Sequence, residues 1–192
     1  MKKQAAFRSV KMLIMDCDGV LTDGSIRIDD EGREVKVFNV TDGAGLAYLR
    51  RAGLKLAIVS GRLSMALFYR ARELGIRDVF QKELDKLIAY REIKKKFDVP
   101  DSEVCYIGDD LPDIPVMRLV GLPIAVANAH PEVKKIAAYI TRARGGAGAV
   151  RECAEKILKA QGKWDEILSK CGVASPGTKS HAHGGGNPEG GR

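Results

Sequence analysis

The fold of this chain follows from one stretch, Lys11-Met-Leu-Ile-Met-Asp16-Cys-Asp18-Gly-Val-Leu-Thr-Asp-Gly24. Its apolar run from Met12 to Met15 has the length and composition of a parallel strand that is buried on both faces. Two carboxylates, Asp16 and Asp18, follow at the point where this strand should end. Because open α/β sheets bind their ligands outside the carboxyl ends of the strands, we expect both acids at the mouth of a site.

The spacing of Asp16 and Asp18 suits phosphate chemistry. A hard divalent cation such as Mg²⁺ prefers oxygen ligands and accompanies phosphate groups. One carboxylate can bind the metal and attack phosphorus, while the second can protonate the leaving oxygen and later activate water. The simpler alternative is that both residues cap a turn, where Asp is common. The rest of the chain has to distinguish these two interpretations.

Length and composition limit the class of protein. The chain has 192 residues, of which 45% are hydrophobic and 30% charged, which predicts one globular domain with its own core. No apolar run approaches the roughly 20 residues that a membrane-spanning helix needs. The N-terminus lacks the apolar segment of a signal peptide. We therefore expect a soluble, cytoplasmic protein.

Cysteine and histidine offer little for catalysis or metal binding. The four cysteines show no CxxC or zinc-finger spacing, and two of the three histidines lie near the C-terminus. The net charge of +7 is spread along helical segments, with Lys94–Lys96 as the one tight basic run and no interleaved aromatic residues. We expect no nucleic-acid or membrane partner, although part of the charge can attract a small anionic substrate.

A small insert and a tail flank the core elements. Residues 25–41 alternate apolar and polar side chains around a turn at 29–32, which predicts a β-hairpin too small to be a cap domain. Asp42 near the N-cap and Gly53 at the end delimit the helix that follows. The domain is expected to span residues 1–172. Residues 173–192 are rich in Gly, Ser and His and are predicted to be a disordered tail.

Strands and helices then alternate along the chain. Strands are predicted at 54–59, 79–80, 104–107, 123–126 and 138–141, and helices at 63–74, 84–97, from 129 onward and at 147–160. This alternation predicts the α/β class, with a Rossmann-like parallel sheet and helices on both faces. The run Gly145-Gly-Ala-Gly148 lacks the Lys-Ser/Thr of a P-loop, which favours a tight turn before the last helix over a phosphate cradle.

Four polar features fall at corresponding ends of these elements. They are the pair Asp16/Asp18, Ser60 after the second buried strand, Lys86 in the first turn of a helix that Asp85 can cap, and Asp109/Asp113 in the loop after the fourth strand. Each has a structural alternative: a turn, a surface lysine, or acids favoured by a helix dipole. Together they supply the nucleophile, acid/base, metal ligands, hydroxyl and cation that phosphoryl transfer requires.

This set of motifs, in this order, resembles the haloacid dehalogenase superfamily of phosphatases. Five segments are similar to its capless branch, the 3-deoxy-D-manno-octulosonate 8-phosphate phosphatases: residues 16–24, 38–43, 60–62, 108–117 and 144–152. The resemblance covers about residues 9–163. It implies a phosphoric monoester hydrolase that uses Mg²⁺ and an aspartyl-phosphate intermediate, in the synthesis of lipopolysaccharide precursors.

The resemblance also implies a role for each matching residue. Asp16 would be the nucleophile and a metal ligand, Asp18 the general acid/base with its main-chain carbonyl on the metal, and Asp109 the third protein ligand. Ser60 and Gly61 would hold the phosphate, which Lys86 would neutralise. The sugar-acid end would meet Arg62, Thr41 and Asp42, and the supporting acids would be Asp110 and Asp113. Lys86 follows Asp85 at a point where the family usually has a Gly nearby. Lys82 is therefore considered as a second candidate for the same role, and it is the weaker one.

No gap between the motifs can hold a cap domain, so water must be excluded in another way. The resemblance implies a homotetramer whose hairpins pack together and whose neighbouring subunits shield each site, although the hairpin could also fold onto its own domain.

Three alternatives remain open at this stage. The same chemistry could act on a nine-carbon sialic-acid-type 9-phosphate, although Arg62 beside the phosphate-holding serine favours the octulosonate. The fold could serve as a non-catalytic binding or assembly module, because fold alone does not determine function. A phosphate-receiver domain also clusters Asp, Ser/Thr and Lys, but it would explain neither Asp18 nor the Gly-Asp-Asp-x-x-Asp motif.

Overall fold

Six parallel strands form the central sheet of the computed structural model, which describes residues 2–173. Two further short strands pair antiparallel as a separate hairpin. In chain order the strands are β1 Met12–Met15, β2 Arg27–Ile28, β3 Glu34–Val35, β4 Lys55–Val59, β5 Asp78–Phe80, β6 Val104–Gly108, β7 Leu122–Ala125 and β8 Tyr139–Ile140.

Helices occupy the connections between the strands. They are α1 Lys2–Ser9, α2 Val40–Arg51, α3 Met65–Glu73, α4 Lys86–Phe97, α5 Ile114–Met117, α6 Pro131–Ile136, α7 Ala149–Ala160 and α8 Trp164–Lys170, with 3₁₀ turns at Asp101–Glu103 and Leu111–Asp113. The predicted α/β class and the Rossmann-like parallel sheet are confirmed, and the hairpin is the insert that the sequence indicated. Among the described residues no cap domain interrupts the fold.

β1 lies at the centre of the sheet, whose strand order is β5-β4-β1-β6-β7-β8. All four residues of β1 are buried, as its apolar run requires. Met15 pairs with Ile58 of β4 on one side and with Ile107 of β6 on the other, so the three strands end at the same level. The chain reverses its direction of travel across the sheet beside β1, and ligands of open α/β sheets bind at such a switch point.

Local signals account for most helix boundaries. Asp85 caps α4 through a 3.0 Å hydrogen bond from the Leu87 amide, as predicted, and this cap sets Lys86 in the first turn. Ser64 caps α3 in the same way. The glycine run at 145–148 forms a turn in front of α7, and Gly148 at the N-cap has a φ of +100°, a conformation that favours glycine.

Some boundaries differ from the sequence predictions. α2 begins at Val40 and is capped by Asn39, whose side chain accepts hydrogen bonds from the amides of Thr41 and Asp42. The prediction that the hairpin extends to residue 41 was therefore wrong, while Asp42 lies near the N-cap, in the first turn, as predicted. The sequence signal was present, because Asn is among the strongest N-cap residues.

The terminal helices α1 and α8 were not predicted. Their polar sequences show little apolar periodicity, and both are short. No helix within residues 2–173 has the length and apolar character needed to cross a membrane. The predicted disordered tail from residue 174 onward lies outside the described residues.

Candidate active site

A cavity of about 370 Å³ opens at the carboxyl edge of the sheet, where β1, β4 and β6 end. The register of these strands brings three separate chain segments to one level. Residues that the sequence analysis singled out line the cavity: Asp16, Asp18, Gly61, Arg62, Lys86, Asp109, Asp110 and Asp113. Parallel pairing thus joins groups that are far apart in the sequence.

Lys86 connects two carboxylates at the floor of the cavity. Its Nζ lies 2.9 Å from Asp16 Oδ1 and 2.6 Å from Asp113 Oδ1. Asp113 is fully buried and also accepts hydrogen bonds from the Tyr106 hydroxyl at 2.7 Å and from the Asp109 amide at 2.9 Å. Because a buried carboxylate needs such donors, Asp113 is held firmly and in turn holds Lys86 against Asp16.

Asp109 has the features of a metal ligand. Its Oδ1 is buried and has no hydrogen-bond partner among the described residues. Single oxygens of Asp16, Asp109 and Asp113 lie within 4.8 Å of one another. Oxygen donors in such a cluster suit a hard divalent cation. Since Asp113 already accepts hydrogen bonds from several donors, Asp16 and Asp109 are the side chains that are suited to bind Mg²⁺.

A glycine makes this arrangement possible. A Cβ atom at Gly19 would lie 2.0 Å from Asp109 Oδ2, so no larger residue could stand there without displacing that carboxylate. Gly19 also has a φ of +91°, which disfavours other residues. The glycine of the Asp-x-Asp-Gly motif therefore admits the carboxylate that the loop after β6 supplies.

The electrostatics of the cluster reflect crowding of negative charge. Burial raises the pKa of Asp16 to about 6 despite the attraction of Lys86. Burial, together with repulsion from Asp16 and Asp113, raises the pKa of Asp109 to about 8. Burial by itself would lower the pKa of Lys86, but Asp16 and Asp113 raise it, so this residue remains a cation. A divalent cation would relieve the repulsion between the acids.

Asp18 is held differently from Asp16. Its carboxylate contacts the ammonium of Lys36, which comes from the hairpin insert. Lys36 also lies 3.4 Å from Glu34, and Glu34 accepts a 2.8 Å hydrogen bond from Arg62. The hairpin therefore folds onto its own domain at this point. Lys36 and Glu34 were missed by the sequence analysis, although alternation along the hairpin places both on the face opposite Val35 and Val37.

Ser60 and Gly61 occupy the turn that follows β4. Ser60 is buried, and its hydroxyl is 3.3 Å from both the amide nitrogen and the carbonyl oxygen of Arg62. Gly61 and Arg62 line the cavity. Lys82, the competitor considered for the role of Lys86, is exposed. The assignment of Ser60 and Gly61 to the phosphate remains a prediction.

Thr41 and Asp42 lie in the first turn of α2, beside the start of α7. The Thr41 hydroxyl donates to the Asn39 side chain at 2.6 Å. Asp42 is buried and accepts hydrogen bonds from the amides of Gly148 and Arg151. These contacts give Asp42 a structural partner inside the domain, while its predicted contact with the sugar acid stays untested.

The glycine run at 145–148 supports the loop that follows β1. The Gly146 amide donates to the Val20 carbonyl at 2.9 Å, and a Cβ atom at Gly145 would lie 1.6 Å from the Gly19 carbonyl oxygen. The two backbones thus touch directly, which only glycine permits. The run is a tight turn, as predicted, and it also braces the loop that carries Asp18.

Comparisons with known proteins agree with this geometry. Residues 64–151 match the family model of the haloacid dehalogenase-like hydrolases. The chain is 46% identical over 155 residues to a 3-deoxy-D-manno-octulosonate 8-phosphate phosphatase from Yersinia pestis, covering 81% of this chain and 83% of that protein. An enzyme of the same name from Escherichia coli is 44% identical over 162 residues, covering 84% of this chain and 86% of that protein.

Solved structures give the same result. A 3-deoxy-D-manno-octulosonate 8-phosphate phosphatase from Moraxella catarrhalis, in complex with a magnesium ion, a phosphate ion and a KDO molecule, superposes with a TM-score of 0.87 at 42% identity. The match covers 88% of this chain and 98% of that one. The chain therefore belongs to the haloacid dehalogenase-like hydrolases, within the family of 3-deoxy-D-manno-octulosonate 8-phosphate phosphatases.

Proposed function

We propose that this chain is a Mg²⁺-dependent phosphatase that hydrolyses 3-deoxy-D-manno-octulosonate 8-phosphate to the free sugar acid and phosphate, a reaction of lipopolysaccharide precursor synthesis. The observation that carries the proposal is the cluster in which Asp16 lies 2.9 Å from Lys86, beside the buried and unpartnered Oδ1 atom of Asp109. Relatives at 44–46% identity over most of the chain carry the name of this activity.

Asp16 starts the reaction. Its carboxylate oxygen attacks phosphorus as the bond from phosphorus to the sugar oxygen breaks, and an aspartyl-phosphate forms. Asp18 donates a proton to the departing sugar oxygen, which leaves as a hydroxyl group. The buried Lys86, fixed by Asp113 at 2.6 Å, offsets negative charge on the phosphoryl group during transfer.

Asp18 then acts in the opposite sense. As a carboxylate it takes a proton from water, whose oxygen attacks the phosphorus of the aspartyl-phosphate and releases phosphate and Asp16. Asp16, Asp109 and the main-chain carbonyl of Asp18 are the proposed ligands of Mg²⁺. The ion would supply positive charge that orients the phosphate and stabilises the transition state.

The remaining site residues divide between the phosphate and the sugar. We assign Ser60 and Gly61 to the phosphate, which the position of this turn after β4 supports. Arg62, whose side chain is partly exposed at the cavity, is the candidate for the sugar-acid end of the substrate. Thr41 and Asp42 are weaker candidates for that end, because neither lines the cavity and the Asp42 carboxylate accepts hydrogen bonds from α7. Asp113 supports Lys86 through its hydrogen bond, and Asp110 lines the same cavity.

Location and assembly are also part of the proposal. We place the enzyme in the cytoplasm, where its sugar-phosphate substrate would be made. We expect a homotetramer in which the hairpins pack together, because Ile26, Ile28, Val35 and Val37 expose apolar side chains there. Light scattering after size-exclusion chromatography measures this directly, and a monomer at micromolar concentration would refute the assembly.

Phosphate release from a panel of sugar phosphates, with Mg²⁺ and with EDTA, tests the function. The octulosonate 8-phosphate should be strongly preferred over a nine-carbon sialic-acid-type 9-phosphate, and EDTA should abolish turnover. A preference for the nine-carbon compound would move the substrate assignment, and no release from any compound would favour a non-catalytic module.

The variant Asp16→Asn tests the nucleophile in the same assay. It should lose turnover by at least about 1000-fold while remaining folded, because the amide cannot attack phosphorus and Asp16 lies at the edge of the core. Asp30→Asn, an exposed acid in the hairpin turn, is the matched control and should remain fully active. Substantial activity of Asp16→Asn would exclude the aspartyl-phosphate mechanism.

A further inference from the structure

The hairpin insert places one face of its second strand over the site. Burial alternates from residue 34 to 38, so Glu34, Lys36 and Phe38 are partly covered while Val35 and Val37 are exposed. This is the period of a strand with one covered face. The two charged residues on the covered face, Glu34 and Lys36, therefore point toward the domain rather than toward solvent.

Lys36 is covered to an unusual degree for a lysine in a hairpin. Its side chain is only 3% exposed, and its ammonium contacts the carboxylate of Asp18 and lies 3.4 Å from Glu34 Oε1. A buried ammonium requires anionic partners, because its desolvation is costly. Asp18 is one of these partners, so the position of Asp18 is coupled to the position of the hairpin.

The same contacts extend to Arg62, a second residue that lines the cavity. Glu34 Oε1 accepts a 2.8 Å hydrogen bond from Arg62. The order Asp18, Lys36, Glu34, Arg62 is thus a continuous chain of alternating charges. Charge-assisted hydrogen bonds of this kind fix side-chain orientation more strongly than neutral ones.

Orientation matters most for Asp18. It lies in the loop after β1, and its carboxylate must face the departing sugar oxygen in one step and water in the next. A displacement of about 1 Å in such a group can lower the rate about 100-fold. Lys36 touches this carboxylate and is not itself among the residues that line the cavity.

We propose that Lys36 is a positioning residue that holds the carboxylate of Asp18 in its proton-transfer orientation, with Glu34 holding Lys36 in place. The hairpin insert is then part of the catalytic apparatus of its own subunit. This inference rests on the proposed phosphatase function, since it assigns a role to Lys36 through the acid/base of that reaction.

Leaving-group dependence separates this role from a purely structural one. The ratio kcat/KM reports the steps up to phosphorylation of Asp16, and an alkyl leaving group needs the proton of Asp18 while nitrophenolate does not. Lys36→Met should therefore lower kcat/KM for the octulosonate phosphate at least about tenfold but leave kcat/KM for p-nitrophenyl phosphate within about twofold. Lys36→Arg should restore part of the loss, because it returns a cation to Asp18.

The control is Arg33→Met, which removes an exposed cation of the same hairpin that pairs with Asp29 and Glu31. This variant should leave kcat/KM for both substrates unchanged. If Lys36→Met lowered kcat/KM equally for both substrates, or if Arg33→Met had the same effect as Lys36→Met, Lys36 would serve the stability of the hairpin. The proposal would then be wrong.

A double-mutant cycle with Asp18→Asn completes the test. If Lys36 acts only through Asp18, the double variant should be no slower than Asp18→Asn alone, whereas independent roles would make the losses multiply and overturn the proposal. If the wild-type enzyme did not hydrolyse the octulosonate phosphate, only the substrate assignment would be refuted. The cycle would then be measured with another alkyl phosphate that the wild-type enzyme hydrolyses. Inactivity of wild type toward every phosphate monoester would overturn both proposals.

Discussion

Replacing Asp42 by Ala removes a buried carboxylate that joins α2 to the first turn of α7. Asp42 is 1% exposed, and it accepts hydrogen bonds from the amides of Gly148 at 3.1 Å and Arg151 at 2.7 Å. Gly148 is the N-cap of α7 and has no side chain with which to cap it. In the alanine variant both amides would lose their partner while remaining in a covered position.

The expected loss can be worked out from these contacts. A buried amide left without a partner costs about 1–3 kcal/mol, and the two amides here, which are partly buried, each fall toward the lower end of that range. An acid at a partly buried helix N-terminus adds up to about 2 kcal/mol. Burial raises the pKa of Asp42, so desolvation of the carboxylate offsets part of this sum. We expect a net loss of about 3 kcal/mol in the free energy of unfolding, which lowers Tm by about 6–12 °C in a chain of this size.

Thermal unfolding followed by circular dichroism measures this loss, and steady-state kinetics on the same samples measures KM. Asp42→Asn keeps one acceptor oxygen and should lose about half as much stability, roughly 1–2 kcal/mol. Asp30→Ala, in the exposed hairpin turn, is the control and should melt with wild type.

The kinetic result decides between two roles for Asp42. The structure predicts a lower Tm with KM nearly unchanged at a temperature where the variant is folded. If Asp42→Ala instead melted within about 2 °C of wild type and raised KM several-fold, its carboxylate would serve the substrate rather than α7. The reasoning from buried hydrogen bonds would then be refuted.

Two further predictions concern the metal and the glycine turn. Mg²⁺ affinity should rise between about pH 6 and pH 8, because Asp16 and Asp109, whose pKa values burial raises to about 6 and about 8, must lose protons before they bind the ion. The metal-free protein should lose stability as the pH rises from about 4, the ordinary Asp pKa, to about 8, since over this range its folded state retains protons that the unfolded chain has released. Calorimetric titration checks the affinity, and an affinity independent of pH would contradict the assignment of these ligands. Gly145→Ala should destabilise the domain by about 3 kcal/mol and also lower kcat, because its Cβ would lie 1.6 Å from the Gly19 carbonyl oxygen and displace the loop that carries Asp18. Gly53→Ala, which has a positive φ but open space around it, is the comparison and should cost about 1 kcal/mol in chemical denaturation without changing kcat.

Sequence patterns within about a dozen residues were enough to predict many of the strands, caps and turns that form the site. The apolar run of β1 followed by Asp16, the cap at Asp85 that sets Lys86 in the first turn of α4, and the glycine turn before α7 could all be predicted locally. Parallel pairing then brings the ends of β1, β4 and β6 together, which is why motifs far apart in the sequence predicted one site.

Contacts between distant segments could not be predicted in this way. Asp42 was predicted near the N-cap of α2, but its hydrogen bonds from amides 106 and 109 residues further along the chain could not be predicted, nor could the role of Asn39 as the cap be separated from it locally. From its sequence neighbours, Lys36 would be predicted to be a solvent-exposed lysine of the hairpin, yet the fold places its ammonium against Asp18.

The physical reason for this division is the range of the forces involved. Strand and helix formation, caps and turns depend on side chains a few residues apart, so local patterns were enough to predict the parallel sheet and the polar residues at its carboxyl edge. The tertiary structure alone decided which of those residues touch. Whether a buried carboxylate meets an ammonium, a backbone amide or a metal site depends on elements that the chain brings together only when it is folded.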